Sequence, residues 1–376
     1  MRHGKPSIAV IGAGIGGLAV SACLRKAGFE PVIYEQAQAF ARVGAGIQMS
    51  PNAMRVLFGI GVGDAVRAAA FRPPAWRNRV SDSGEMTNEH PLGADAEERY
   101  GVPYLLMHRG DLHAALHGAV PDDSIRYDHT LVDIDAGDGG ATLTFGNGER
   151  VTADAVIASD GVHSIVRDRL LGADDSRFTG NAAYRTTFPA ALLGGRELDD
   201  SCKWWGPDRH IVIYYVTRDR DEIYFTTSHP EPDWQVESWS ATGELDELQA
   251  TFAGFHEDVR AVLAACPRVH KWALFERDPL PRWSEGNVTL MGDACHAMTP
   301  YMAQGAATSL EDAVVLSRCI ADADGADFAA TFRRFEAARM ERTSKIQATS
   351  HRNEFMRQAT DPDWVYGYDA WQVELP

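Results

Sequence analysis

Three groups of residues in this chain have types and spacings that chemistry could use. The first is Gly12-x-Gly14-x-x-Gly17, followed by Glu35. Gly12 permits a tight turn, Gly14 lets backbone approach a pyrophosphate, and Gly17 lets a helix pack close to a strand. The phosphates would rest on the N–H groups and positive end of that helix. Glu35 lies about 20 residues on, where a carboxylate accepts hydrogen bonds from a ribose diol. An acid there favours the unphosphorylated ribose of FAD or NAD over that of NADP. The second group is Asp160-Gly161 and Gly292-Asp293, each closing an apolar run, with Arg109 at a third such junction. The third is His210 and Tyr214, which share one face of a strand beside Lys203-Trp204-Trp205.

These residues need elements to position them. Ser7–Ile11 is a short apolar run of the kind that forms a buried parallel strand. The pattern turns helical from Leu18 and ends near Lys26–Gly28, and Pro31–Tyr34 is a second strand. Glycines alone would also suit a turn in some other α/β protein. Strand, glycines, helix, second strand and terminal acid in this order favour dinucleotide binding. A glycine-rich loop, Arg42 to Gln48, precedes a helix opened by Pro51-Asn52. It is either a surface loop or backbone lying against a flat ligand. Residues 73–100 read as loop or edge structure. Leu105–Leu112 reads as a strand entering a helix, where Arg109 could hold a phosphate or flavin edge, or pair with a surface acid.

Further along, Leu131–Asp135, Ala141–Phe145 and Arg150–Thr152 form a meander. Residues 180–230 read as antiparallel strands. There, period two puts His210, Val212 and Tyr214 on one face, as the wall of an aromatic-ligand site or as ordinary half-buried core. An amphipathic helical segment follows at 243–266, then a third strand end at Gly292-Asp293, a helix from about Ala307 to Asp322, and helix again over 326–355. Three strand ends thus carry ligand-type residues, and in an open α/β sheet strand C-termini are where ligands bind.

Composition narrows the classes. A net charge of −17 with no basic tract argues against a nucleic-acid partner. No run approaches the ~20 apolar residues of a membrane helix, and the N-terminus runs into the first strand without a leader pattern. The five cysteines are scattered with no metal-ligand spacing, so no metal is expected, and a reduced, cytoplasmic protein is. Cys295 and His296 do not read as a nucleophile pair, since no acid partner is evident in sequence.

Over nearly its full length the chain resembles the class A flavin-dependent aromatic hydroxylases, the group of 4-hydroxybenzoate and salicylate hydroxylases. The resemblance rests on Gly12-x-Gly14-x-x-Gly17 with Glu35, Asp160-Gly161, and Gly292-Asp293-Ala-x-His296 with Pro300. Within that family it most resembles the hydroxylases of 6-hydroxynicotinate, through Lys203–Trp205, Asp208–His210, Tyr214-Tyr215, Gly292–His296, Met302–Ala306 and Trp364–Asp369. The resemblance implies an α/β fold with a Rossmann-like FAD-binding domain of the 4-hydroxybenzoate hydroxylase type, an antiparallel-sheet substrate domain and C-terminal helices. The FAD-binding domain would be discontinuous, at 1–72, 100–175 and 275–322. The substrate sheet would take 73–99 and 176–274, and the helical segment 323–376.

It also implies FAD as a tightly bound cofactor, NADH or NADPH as a transient reductant and O2 as co-substrate. The substrate would be a small aromatic or pyridine carboxylate. Carried over by position, Gly12, Gly14, Gly17, Glu35, Gln36, Arg42, Arg109, Asp160, Gly161 and Asp293 would hold FAD. Pro300, Gly305 and Ala306 would lie beside the flavin ring. His210 and Tyr214 would be catalytic, with Tyr214 hydrogen-bonding the substrate hydroxyl. Gln48, Ser201, Cys202, Tyr301 and Met302 would line the substrate site. The subgroup carries His where this chain has Gln48 and Tyr301, and Cys where it has Ser201; the wider family often has Gly-Gln-Gly-x-Asn where this chain has Ala303–Ala307. The implied reaction places a hydroxyl on the carboxylate-bearing carbon and releases CO2. Ring hydroxylation without decarboxylation, as on 3-hydroxybenzoate or salicylate, and aromatic binding without turnover are the alternatives. Monomer and homodimer both stay open.

Overall fold

The structure, a computed structural model, describes residues 5–41, 45–137, 139–172, 176–234, 241–357 and 360–376. Its first sheet has six strands. Ile8–Ile11 lies at the centre, parallel to Ala155–Ala158 on one side and Val32–Tyr34 on the other. Val288–Leu290 extends the parallel sheet beyond Ala155–Ala158, and Ile125–Arg126 extends it beyond Val32–Tyr34. Ser284–Glu285 closes one edge antiparallel. Every residue of the Ile8–Ile11, Ala155–Ala158 and Val288–Leu290 strands is buried. That explains their near-continuous apolar character, interrupted only by Thr289, because helices cover both faces of a parallel sheet.

Register decides where the ligand residues fall. Ile11 pairs with Ala158 and Tyr34, and Ala158 with Leu290. The chain therefore leaves the sheet along one edge at Gly12, Glu35, Ser159-Asp160 and Met291-Gly292. Separate stretches of sequence become neighbours because parallel strands end together.

The second sheet has eight strands. From one edge to the other they are Thr242–Gly243, Val269–Glu276, Arg177–Pro189, Glu222–Pro230, His210–Tyr215, Ser201–Trp205, Ala75–Val80 and Met86–Pro91. All neighbours are antiparallel except Ser201–Trp205 and Ala75–Val80. Residues 73–100, read as loop or edge, form that edge hairpin and the helix Gly93–Tyr100. Their polar composition suits an edge, where half the backbone faces water. A short antiparallel pair, Gly46–Met49 with Leu105–His108, lies apart from both sheets, as does the three-stranded meander expected near 131–152.

The amphipathic segment at 243–266 is two helices, Leu245–Thr251 and Glu257–Ala265; the His256 side chain accepts from the Asp258 amide and caps the second. The helix expected from Ala307 begins at Gly305 and runs to Asp322, and the long helix spans Phe328–Arg352. Two hydrophobic cores result, one around the parallel sheet and one on the eight-stranded sheet.

The two long helices meet through buried charge. Glu311 and Asp312, both fully buried, face Arg339, which donates to each carboxylate at 2.7 Å. Arg342 adds a bond to Glu311 at 2.8 Å, and Asn52 donates to the same carboxylate at 2.7 Å. Burial alone would push the Glu311 carboxyl up, but the two guanidinium groups hold it below its ordinary value. The network fastens the Pro51–Ile60 helix and both long helices behind the ligand edge of the sheet.

Candidate active site

A cavity of about 400 Å³ runs along the sheet edge where the parallel strands end. Gly14, Ile15 and Gly16 form one wall, at the N-terminus of the Ile15–Lys26 helix. That helix has no side-chain cap and no acid in its first turn, so its N–H groups stay available to an anion. A Cβ on Gly12 would sit 2.6 Å from the Ser159 carbonyl oxygen, and one on Gly17 only 1.9 Å from the Gly12 carbonyl oxygen. Both glycines serve close packing. Gly14 differs, since a Cβ there meets nothing within 4 Å and would project into open space.

Glu35 joins the glycine turn to the second strand. One carboxylate oxygen accepts from the Ala13 amide at 2.7 Å and the other from the Ala37 amide at 2.8 Å. Each oxygen keeps a lone pair for a further donor. Arg109, Gly161, Asp293, Pro300, Gly305 and Ala306 also line the cavity. Burial pushes the Arg109 guanidinium down, and Asp293 counters it. Gly12, Gly17, Glu35, Gln36 and Asp160 are not on its lining. Asp160 accepts from the Val166 amide at 3.3 Å, and burial pushes its carboxyl up against Ser164 and that amide. Gln36 is exposed, and Arg42 lies outside the described residues.

A second cavity of about 70 Å³ adjoins the first, and Gln48, Thr226, Pro300 and Ala303 line both. His210, Tyr301, Met302 and Lys203 reach only the smaller one, and Tyr214 only the larger. The His210 ring meets Tyr301 edge-on at 5.5 Å, and its Nδ1 lies 3.4 Å from Asn353 Nδ2. Burial, with Lys203 and Arg357 nearby, pushes its pKa well below the usual range, so the imidazole is neutral. Burial also pushes the Tyr214 hydroxyl well up, next to Tyr224 and opposed by Gln48. Tyr104 donates to Gln48 Oε1 at 2.5 Å, and the Tyr301 and Ser228 hydroxyls share a bond of 2.9 Å.

Ser201 and Cys202 line neither cavity. Ser201 uses its hydroxyl on the Ala75 carbonyl at 2.6 Å, where the two parallel strands join. Cys202 is buried on the opposite side of the sheet strand, and burial followed by Asp199 pushes its thiol well up. Lys203, two residues on from Ser201, reaches the cavity instead. In the sequence Lys203 stands out only as part of the Lys203–Trp205 motif, and no local pattern marks Asn353. The available signal was a lysine inside an aromatic strand.

His296 does have an acid partner, contrary to the sequence reading: its Nε2 lies 2.6 Å from Asp312. Sixteen residues separate the pair, which sit on different helices, so no local pattern showed it. Burial pushes the Cys295 thiol well up, and its Sγ donates to the Gly292 carbonyl. It is no nucleophile. Cys295, His296 and Asp312 are close enough to surround a metal ion. Asp312 is already engaged by the Gly292 amide at 3.1 Å and by Arg339 at 2.7 Å, and a guanidinium at that distance opposes a second cation.

The model of the FAD binding domain family matches residues 5–327. The chain belongs to that family. The uncapped helix, the open space at Gly14 and the Arg109–Asp293 wall fit the cofactor that the family binds. The flavoprotein is 45% identical to 6-hydroxynicotinate 3-monooxygenase of Bordetella bronchiseptica, over 99% of this chain and 98% of that protein. It is 41% identical to 6-hydroxynicotinate 3-monooxygenase of Pseudomonas fluorescens, over 99% and 97%. The solved substrate complex of a salicylate hydroxylase superposes with a TM-score of 0.82 at 25% identity, covering 97% of this chain and 96% of the other. Among the described residues, no helix is long and apolar enough to cross a membrane.

Proposed function

We propose that the flavoprotein is a monooxygenase that uses NAD(P)H and O2 to hydroxylate a small hydroxylated pyridine or benzene carboxylate of the 6-hydroxynicotinate type, with loss of CO2. The observation that carries this reading is the junction of the two cavities at Gln48, Thr226, Pro300 and Ala303. A flat cofactor ring in the larger cavity would face a small ring in the other across those residues. Full-length identity to two 6-hydroxynicotinate 3-monooxygenases supports the choice of substrate class.

Bound FAD, once reduced by NAD(P)H, supplies the activation of O2. The chain's own residues supply the rest. Tyr214, kept protonated by burial, stands in the larger cavity beside Gln48, which lines both, and from that junction would donate to a substrate hydroxyl oxygen turned toward the flavin. His210, kept neutral by burial, adds an uncharged hydrogen-bonding group at the substrate's edge. With its proton released to bulk water on binding, that oxygen loads electron density on the ring carbon opposite, which bears the carboxylate. A C–O bond forms there, the bond to the carboxyl carbon breaks, and its electron pair returns to the ring. One atom of O2 enters the product and the other leaves as water. Met302, Tyr301 and the aromatic wall exclude solvent.

The purified yellow protein should oxidise NADH or NADPH faster with 6-hydroxynicotinate present and yield 2,5-dihydroxypyridine. Oxidation that yields only hydrogen peroxide would contradict this substrate.

A further inference from the structure

We propose that Lys203 is the specificity-determining residue that takes the substrate's carboxylate. The inference rests on the substrate class proposed above. Lys203 is 5% exposed, on a strand of the eight-stranded sheet, and lines the smaller cavity. Nζ donates to Asn353 Oδ1 at 3.0 Å and sits 3.8 Å above the Trp205 ring. Among the described residues, no carboxylate lies within ion-pair distance of it. The other deeply buried lysine shows the usual solution: Lys271, 2% exposed, pairs with Glu231 at 2.5 Å and Glu247 at 3.3 Å.

A buried ammonium with only an amide and aromatic faces for company is costly. Burial, with Arg357 nearby, pushes its pKa well below the ordinary lysine value. The charged and titratable groups around it are Arg357, His210 and Tyr301, none of them an acid. The cavity thus holds a basic nitrogen that burial pushes toward the neutral amine, and it lacks the anion that would keep that nitrogen charged. A ring carboxylate supplies that anion, and Nζ has donors left after Asn353 takes one. Asn353 holds the arrangement from the end of the long helix, where its own φ is 52°. Its Oδ1 faces Lys203 and its Nδ2 faces His210, so one amide orients both groups. When the carboxylate departs as CO2, Lys203 loses its partner, and the product has no comparable hold on the site.

The test is ligand binding to the oxidised holoenzyme, followed by the change in flavin absorbance, with 6-hydroxynicotinate and its neutral carboxamide as probes. No turnover is read. A protein that binds the acid selectively but fails to hydroxylate it would refute the monooxygenase reading and leave this one standing. Wild type should bind the acid more tightly than the amide. K203M should weaken acid binding roughly 10- to 100-fold and leave amide binding within about twofold, as for loss of a charge-assisted bond. N353D keeps the lysine but gives it an internal carboxylate. It should impair acid binding at least about 10-fold while sparing the amide, and it keeps the proposal testable if K203M loses its flavin. Equal affinity of wild type for acid and amide would overturn the proposal. So would equal losses for both probes in N353D, or unchanged acid binding in K203M.

Discussion

Arg339 Nε donates to Asp312 at 2.7 Å inside a fully buried contact, and the other oxygen of the same carboxylate lies 2.6 Å from His296. The long C-terminal helix is thereby tied to the Gly292–His296 turn on the cofactor cavity. Removing one partner leaves buried charge uncompensated, at a cost of roughly 3–5 kcal/mol. R339M should lose about that much in urea unfolding of the holoenzyme. A loss below about 1 kcal/mol would show that the network relaxes instead.

Asp312 gives that network a pH signature. Burial would raise its carboxyl, but His296 and Arg339 hold it at about 2, from an ordinary 3.8. A depressed acid contributes stability above its unfolded pKa and loses it as pH falls toward the folded one. The window is therefore about pH 4 down to 2, and the contribution above it is on the order of 2 kcal/mol. Between pH 5 and 3, wild type should lose stability more steeply than D312N. Parallel profiles would contradict the assignment.

Gly14 and Gly17 should fail differently when changed to alanine. The Gly17 Cβ meets backbone at 1.9 Å, so G17A should misfold or express poorly. The Gly14 Cβ meets nothing, and the residue has φ −71°, which alanine adopts readily. G14A should fold, with its apo-protein melting near that of wild-type apo-protein, yet purify with much less flavin per chain. Full flavin content in G14A would mean that the phosphates do not approach the turn.

Y214F removes one buried hydroxyl from the larger cavity and little volume. Flavin content should be unchanged, while kcat should fall roughly 100-fold, the scale of a positioned proton donor or acceptor. An unaltered kcat would remove Tyr214 from the reaction.

What was legible in the sequence was whatever a local pattern encodes. The Gly12–Glu35 unit and the Asp160-Gly161 and Gly292-Asp293 ends could be read because parallel strands must be apolar and must end in something. The alternation of His210, Val212 and Tyr214 showed a shared face but not what it faced; His210 reaches one cavity and Tyr214 the next. Ser201 and Cys202 were expected in the pocket, but the strand's parallel partner, Ala75–Val80, comes from over 100 residues earlier and takes the Ser201 hydroxyl. Asn353 and Arg339 were invisible for a similar reason. Each acts across a tertiary contact to a residue far away in sequence.

The central claim is decarboxylative hydroxylation, and carboxyl-labelled 6-hydroxynicotinate tests it most directly. Labelled CO2 released should equal NADH or NADPH consumed, corrected for peroxide, with dihydroxypyridine formed in the same amount. Coenzyme consumption matched by a hydroxylated product that retains the label would contradict the claim and assign the protein to ring hydroxylation without carboxylate loss.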